Sequence, residues 1–360
     1  MSLVNTRIQN IRANSRLDKF ELRPSRYGAL DLFMDQSQDP NGVLTPELVE
    51  KARTSIGNTL ETPVINYDES ISIGNTRSVT IADSENTSKM VQFSFTTYSW
   101  GFTVTPAMYM NNEISIQRDF EAKMMKYIYK FASTLDKAAL AALAAAKTQV
   151  MANSLFYTFG SNTISAGWPQ RENLFGDLNV MMEANDFFGQ LHIVGDAGVQ
   201  SLIRQLAQKD LYNIENKRNE WGDKIFHFTN GITAASNIFA QGYAVQQGAV
   251  GMLTRFERDS ILGTRSGDGH EWGIATLPVL NMPVGTYFYD SVDDYSSIAG
   301  AATADLTRTR KEHYGFAVDV CFVTAYNSAP STLASPIIAF NVGYNSATDK
   351  LGLVVNNVGQ

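Results

Sequence analysis

From Ile116 to Ala146 the apolar residues return every three or four positions, at Ile116, Phe120, Met124, Ile128, Phe131, Leu135, Ala139, Leu143 and Ala146. That spacing draws one stripe along an α-helix. No Gly or Pro interrupts it. Asn112 or Ser115 can accept a backbone N–H at the start, and Glu113 suits the positive end of the helix dipole. The pattern predicts a helix from about Ser115 to Val150, roughly 54 Å long and far beyond the ~11 to 12 residues of a mean globular helix.

Upstream the period changes to two. Ile71 and Ile73, Val79 and Ile81, then Val91, Phe93 and Phe95 alternate with polar residues, with turn signals at Gly74 and Asp83. Residues 61–105 therefore read as a long β-hairpin. The apolar phase moves from odd positions at Phe95 to even ones at Trp100, Phe102 and Val104, which predicts a β-bulge between Thr96 and Ser99. A two-stranded ribbon is marginal in water by itself. Its apolar residues, Val79, Ile81, Val91, Phe93 and Phe95, are expected to need a surface from another copy of the chain, with Lys89 beside them.

Ahead of the ribbon, Val4, Ile8 and Ile11 have helical spacing, but Pro24, Gly28 and the polar "DQSQDPNG" break the pattern, so residues 1–43 read as an arm. A short helix follows, with Thr45 as N-cap, Pro46 at the first helical position and Leu48, Val49 and Ala52 on its apolar side. Beyond the long helix, "LHIVGD" is a strand, and Asp196 caps a helix bearing Val199, Leu202, Ile203 and Leu206. "KIFHFT", "GIATLPVL" and "GTYFYDSV" read as strands, the small and polar stretch from Asp290 to Lys311 as an exposed loop. "GFAVDVCFVTAY" and "SPIIAFNVGY" are closing strands. The fold class is α+β, without internal repeats.

Composition adds a hint about partners. The 360 residues are 44% hydrophobic and 11% aromatic but only 18% charged, against a typical ~25%. Buried subunit contacts are poor in charge and rich in aromatics, although a large monomer with a generous core would read the same. Net charge is −7, unevenly spread: Arg7, Arg12, Arg16, Lys19, Arg23 and Arg26 outweigh Asp18 and Glu21 in the first 30 residues. A basic arm on an acidic body can dock on a neighbouring copy or touch nucleic acid, and Arg7, Arg12 and Arg16 are its candidate contacts. The acidic body argues against general DNA binding, which draws its affinity from Lys and Arg on phosphates. Cys321, the single cysteine, excludes an internal disulfide and reads as a small apolar residue on a strand. No signal-peptide core and no run of 18 apolar residues occurs, so the chain is expected to fold in a cytoplasm, without a membrane.

Candidate chemistry is sparse. There is no Cys pair for zinc, no Walker-type loop and no nucleophile elbow. "GTRSGDGHEWG" begins a dinucleotide-like spacing at Gly267 and Gly269, but Trp272 replaces the last glycine. Asp268, His270 and Glu271 lack a third helix-borne metal ligand. "YDSVDD", with Asp290, Asp293 and Asp294, lacks the alternation of a calcium loop. His192, His227 and His313 stand singly, and no nucleophile, base and orienter set assembles. No catalytic residue, metal or cofactor is expected.

The order of arm, ribbon, long helix and α+β region, together with "YSWGFTVTPAMYMNNEISIQRDFEAKMMKYIYKF", resembles the major capsid proteins of tailed double-stranded DNA bacteriophages over nearly the whole chain. The resemblance implies an N-terminal arm (1–60), an extended loop (61–105), a peripheral domain with the spine helix (106–154), an axial domain (155–312) and closing strands of the peripheral domain (313–360). It implies self-assembly into hexamers and pentamers of an icosahedral shell, a procapsid that matures in the host cytoplasm and then belongs to the virion. It further implies scaffold and portal partners, and packaged DNA held without sequence-specific contacts. Some family members cross-link a loop Lys to a neighbour's Asn; Lys89, Asn356 and Asn357 are the matching residue types. Two other readings stay open: an encapsulin-like nanocompartment shell and, from a different class, a soluble α+β hydrolase.

Overall fold

The computed structural model describes residues 4, 7–8, 27–39, 42–54, 57–66, 87–106, 116–147, 157–185, 187–209, 224–233, 238–255, 265–267, 270–278, 280–293, 309–325 and 336–343. The chain divides into two compact units. The first takes Met1–Arg23, Thr96–Leu135 and Thr254–Cys321; the second takes Pro24–Phe95, Asp136–Leu253 and Phe322–Gln360. This division differs from the segments read from sequence: residues 155–312, expected as one domain, are shared between the units from Thr254 on.

In the first unit, strand β3 (Thr96–Val104) pairs antiparallel with β13 (Thr309–Thr324), from Glu312↔Val104 to Val320↔Thr96. β13 continues the sheet to β12 (Pro283–Asp293), β11 (His270–Thr276) and β10 (Arg265–Gly267). β12 and β13 pair as far as Asp293↔Thr309, so both ends of the expected Asp290–Lys311 loop are strand instead. The long helix is present as α3 (Ile116–Ala146), 31 residues and about 46 Å at 1.5 Å per residue. One face of the sheet packs on its first half through aromatic rings. Trp100 meets Phe131 at 4.3 Å between centroids, Phe102 meets Phe120 at 5.3 Å, and Phe120 meets Tyr314 edge-on at 4.9 Å. Such offset and edge-on pairs add ~0.5 to 1.5 kcal/mol each beyond area burial.

The second unit is built on a mixed sheet ordered β4 (Tyr157–Gly160), β5 (Thr163–Gly167), β14 (Ile337–Gly343), β8 (Ile238–Gln246), β6 (Leu191–Gly195) and β7 (Lys224–Phe228). The β14–β5 and β6–β7 pairs are parallel, and the others antiparallel. Its central strands are buried on both faces, which explains their nearly continuous apolar runs. Ile338, Phe340 and Val342 enter a cluster with α4 (Leu174–Glu183) and α5 (Ala197–Lys209); Ile337 and Ala339 enter a second cluster on the other face. That second cluster gathers Ala139 and Leu143 from the end of α3, and Ala29, Leu32 and Phe33 from α1 (Gly28–Gln36). Asp196 caps α5 as expected, accepting from the Val199 amide at 2.9 Å. Thr45 likewise caps α2 (Pro46–Thr54) through the Leu48 amide at 3.3 Å.

Helix α1 lies within the stretch read as a loose arm. Its own N-cap position, Tyr27, makes no side-chain cap bond. The cap comes from α3: buried Asp136 accepts from the Ala29 and Leu30 amides at 3.0 and 3.1 Å, and from the Thr229 hydroxyl. Burial raises the Asp136 pKa against the lowering effect of these three donors. The backbone closes tightly around the carboxylate. A Cβ on Gly28 would lie 2.6 Å from the Phe228 backbone, and one on Gly231 2.8 Å from Asp136 Oδ2. Asp136→Ala, which leaves two amides and a hydroxyl without their acceptor, is expected to cost about 3 kcal/mol. Urea denaturation checks this, with Asp136→Asn, which keeps one acceptor oxygen, falling between the two.

Candidate functional site

The ribbon is short in its described part. Strands β1 (Thr59–Asn66) and β2 (Thr87–Ser94) pair antiparallel from Thr59↔Ser94 to Asn66↔Thr87. Val79 and Ile81 lie outside the described residues, and Lys89 stands in register opposite Val64. Leu60, Val91 and Phe95 are buried within their own chain, which differs from the expectation that this side waits for another copy. Phe93 remains partly exposed on the same side, and Met90, on the opposite side, is 50% exposed. The phase slip read as a bulge between Thr96 and Ser99 is instead a strand boundary one residue earlier. β2 ends at Ser94, the Phe95 amide donates to Asn58 O at 2.7 Å, and β3 begins at Thr96 in another sheet.

Of the arm's candidate contacts, Arg12 and Arg16 lie outside the described residues. Arg7 is docked on its own chain. Its Nη2 pairs with Glu312 Oε2 at 2.9 Å, and its guanidinium lies 5.6 Å from the Phe120 ring centroid and 5.4 Å from that of Tyr314. The Tyr314 hydroxyl donates to the same Glu312 oxygen at 2.6 Å, and burial together with this carboxylate holds the phenol above its ordinary range. Val4 and Ile8, at helical spacing from Arg7, are buried. Sequence reasoning identified the positive charge but not its partner, since Glu312 is some three hundred residues away.

The sheet face of the first unit turned away from the helix carries a ladder of rings. His270 stacks on Tyr289 at 5.8 Å, Trp272 lies 4.4 Å from Tyr287, and Tyr289 stacks on His313 at 4.3 Å. Beside it runs a groove of about 410 Å³ whose floor is nearly bare backbone, at Ser99, Gly101, Gly285, Gly315 and Ala317, walled by Trp272 and Tyr287. His313 joins two hydroxyls: Ser291 Oγ lies 2.8 Å from Nε2 and Thr103 Oγ1 3.1 Å from Nδ1. The order hydroxyl, imidazole, orienter is that of a nucleophile set. Its orienter is a threonine hydroxyl, which cannot stabilise an imidazolium as a carboxylate does. The arrangement ties three strands together.

Cys321 is buried, and burial pushes its thiol up to about 11, away from reactivity. His270 and Glu271 are adjacent strand residues, and Asp268 lies outside the described residues; among the described residues no group of three metal-ligating side chains converges. Among the same residues no helix is long and apolar enough to cross a membrane. His192 and His227, read as single, are partners: His192 Nδ1 lies 3.0 Å from His227 Nε2, whose ring reaches Asp31 Oδ2 of α1 at 3.2 Å.

No protein-family model matches the chain, and no curated protein matches it. Several solved structures are similar to it. The capsid of Ralstonia phage GP4 is 10% identical, with 90% of this chain and 92% of that chain covered at a TM-score of 0.46. A structure from Microbacterium phage Oxtober96 is 14% identical, covering 89% and 99% at 0.44. The capsid structure of the cyanophage P-SCSP1u is 11% identical, covering 88% and 94% at 0.42.

The histidine pair generates a pH dependence. Burial first, and His227 second, lower the His192 pKa to about 4, while Asp35 and Asp39 act to raise it. The folded value lies below the unfolded one, so the unfolded chain takes up a proton that the folded chain refuses. Stability from this group is therefore whole above about pH 6.5 and declines as pH falls toward 4. The urea midpoint is expected to drop between pH 7 and pH 5, and to drop less in His192→Asn; equal drops would remove His192 as the cause.

Proposed function

We propose that the chain is the major capsid protein of a tailed double-stranded DNA bacteriophage, a structural protein that builds the icosahedral head from many copies of itself. The observation that carries the reading is the order of the described elements between Thr59 and Ala146. A two-stranded ribbon returns through Phe95 directly into β3, β3 lies on α3, and α3 supplies core residues to both units without a break. A closing pair of strands, β13 and β14, then returns to the two sheets.

In this reading the ribbon is the contact each copy extends to its neighbour, and Phe93 and Met90 are apolar residues that its described part leaves partly exposed. Repetition around closed symmetry axes turns one such contact into a shell. The uninterrupted 31-residue helix is a stiff element in such a subunit. The acidic body suits packaged DNA that must move without adhering, because no array of Lys and Arg neutralises phosphates. Scaffold and portal proteins are the further partners of such a shell, which assembles in the host cytoplasm and ends in the virion.

Electron microscopy of the overexpressed protein tests the reading: closed shells are expected, and a small discrete oligomer would overturn it. Nucleic acid inside mature particles separates a genome container from a cargo compartment. Phe93→Asp is expected to leave the circular dichroism of the subunit unchanged and to abolish shells. Normal particles from that variant would remove the ribbon from the contact.

A further inference from the structure

We infer that the first unit contains a binding site for an arginine-tipped helical turn, and that the chain's own N-terminal residues occupy it as an exchangeable plug. The inference stands whether or not the copies form a shell.

The socket is built for a guanidinium. Glu312 is buried with its side chain 8% exposed, and a buried carboxylate needs a cation and hydrogen-bond donors. Tyr314 supplies one donor at 2.6 Å and Arg7 the charge at 2.9 Å. Arg310 is the other nearby cation, but it reaches only 3.9 Å from the second oxygen and is committed to Asp290 at 2.8 Å. Phe120 and Tyr314 offer ring faces, to which a planar, weakly hydrated guanidinium is better suited than an ammonium. The Gln117 amide donates to Arg7 O at 3.4 Å and fixes the backbone of the turn. Val4 and Ile8, three before and one after the arginine, bury their side chains on the same side. The ligand is thus a pattern: an apolar residue, then arginine three positions later, then an apolar residue.

The fit is incomplete, which makes the plug separable: Arg7 Nη1 is buried with no hydrogen-bond partner among the described residues. A buried donor left unpaired lowers the net gain of docking, so the turn is held without being locked. The N terminus of a second copy presents the same pattern and fits the same socket.

The test uses the chain lacking residues 1–10 and a fluorescent peptide of residues 1–12. Saturable binding by fluorescence anisotropy is expected, weakened about tenfold or more by Arg7→Met in the peptide or Glu312→Gln in the protein. Arg7→Lys should lie between, keeping charge and losing the stacking. Absence of binding to the folded truncated chain, or equal binding by the Arg7→Met peptide, overturns the inference. Should the truncated chain not fold, hydrogen exchange on the full chain decides. Arg7→Met is then expected to speed exchange around Val4 to Ile8 about tenfold or more while leaving α3 unchanged, and unchanged exchange overturns the inference.

Discussion

A carboxylate that water barely reaches organises the second unit. Asp136 cannot remain there as an ion without donors, and the fold brings it two first-turn amides of α1, those of Ala29 and Leu30, and the hydroxyl of Thr229 just after β7. The amides also carry the positive end of the α1 dipole, which suits a negative group. Glycines at 28 and 231 let the backbone approach closely enough for these bonds to form. Everything that α1 does follows from this anchor. It covers one face of the mixed sheet with Ala29, Leu32 and Phe33, and it brings Asp31 to the histidine pair of β6 and β7.

The helix that carries Asp136 serves two kinds of core. Its first half presents large rings and branched chains to the antiparallel sheet, whose facing strands answer with Trp100, Phe102 and Tyr314. Its second half is rich in alanine, and small side chains let α1 and the mixed sheet pack closely against it. A glycine or proline within α3 would loosen both sets of contacts, because a helix break changes the direction of every residue beyond it. The absence of either residue over 31 positions fits that double duty.

Much of this architecture was legible. Periodicity placed α3 to within a few residues, and side-chain chemistry placed the caps at Thr45 and Asp196, since both caps act within one turn of their own helix. The hairpin base likewise followed from alternation. Helix α1 was not legible, because its cap is on another helix and the position before it is an uncapped tyrosine. One signal was available: an aspartate on the apolar side of α3, between Ala132 and Leu140, requires donors from elsewhere. Arg7, read as an arm contact, has its partners Phe120, Glu312 and Tyr314 far away in sequence.

The sequence by itself determined the long helix α3, the capped starts of α2 and α5 and the base of the ribbon, because these depend on spacing and residue type within a few positions. Only the tertiary structure decided that the phase slip at Phe95 is a passage between sheets, that Val91 and Phe95 find cover within their own chain, and that Arg7 docks in cis. Those outcomes depend on which distant groups can pay the desolvation of a charge or cover an apolar face, and a linear pattern carries no measure of distance in space.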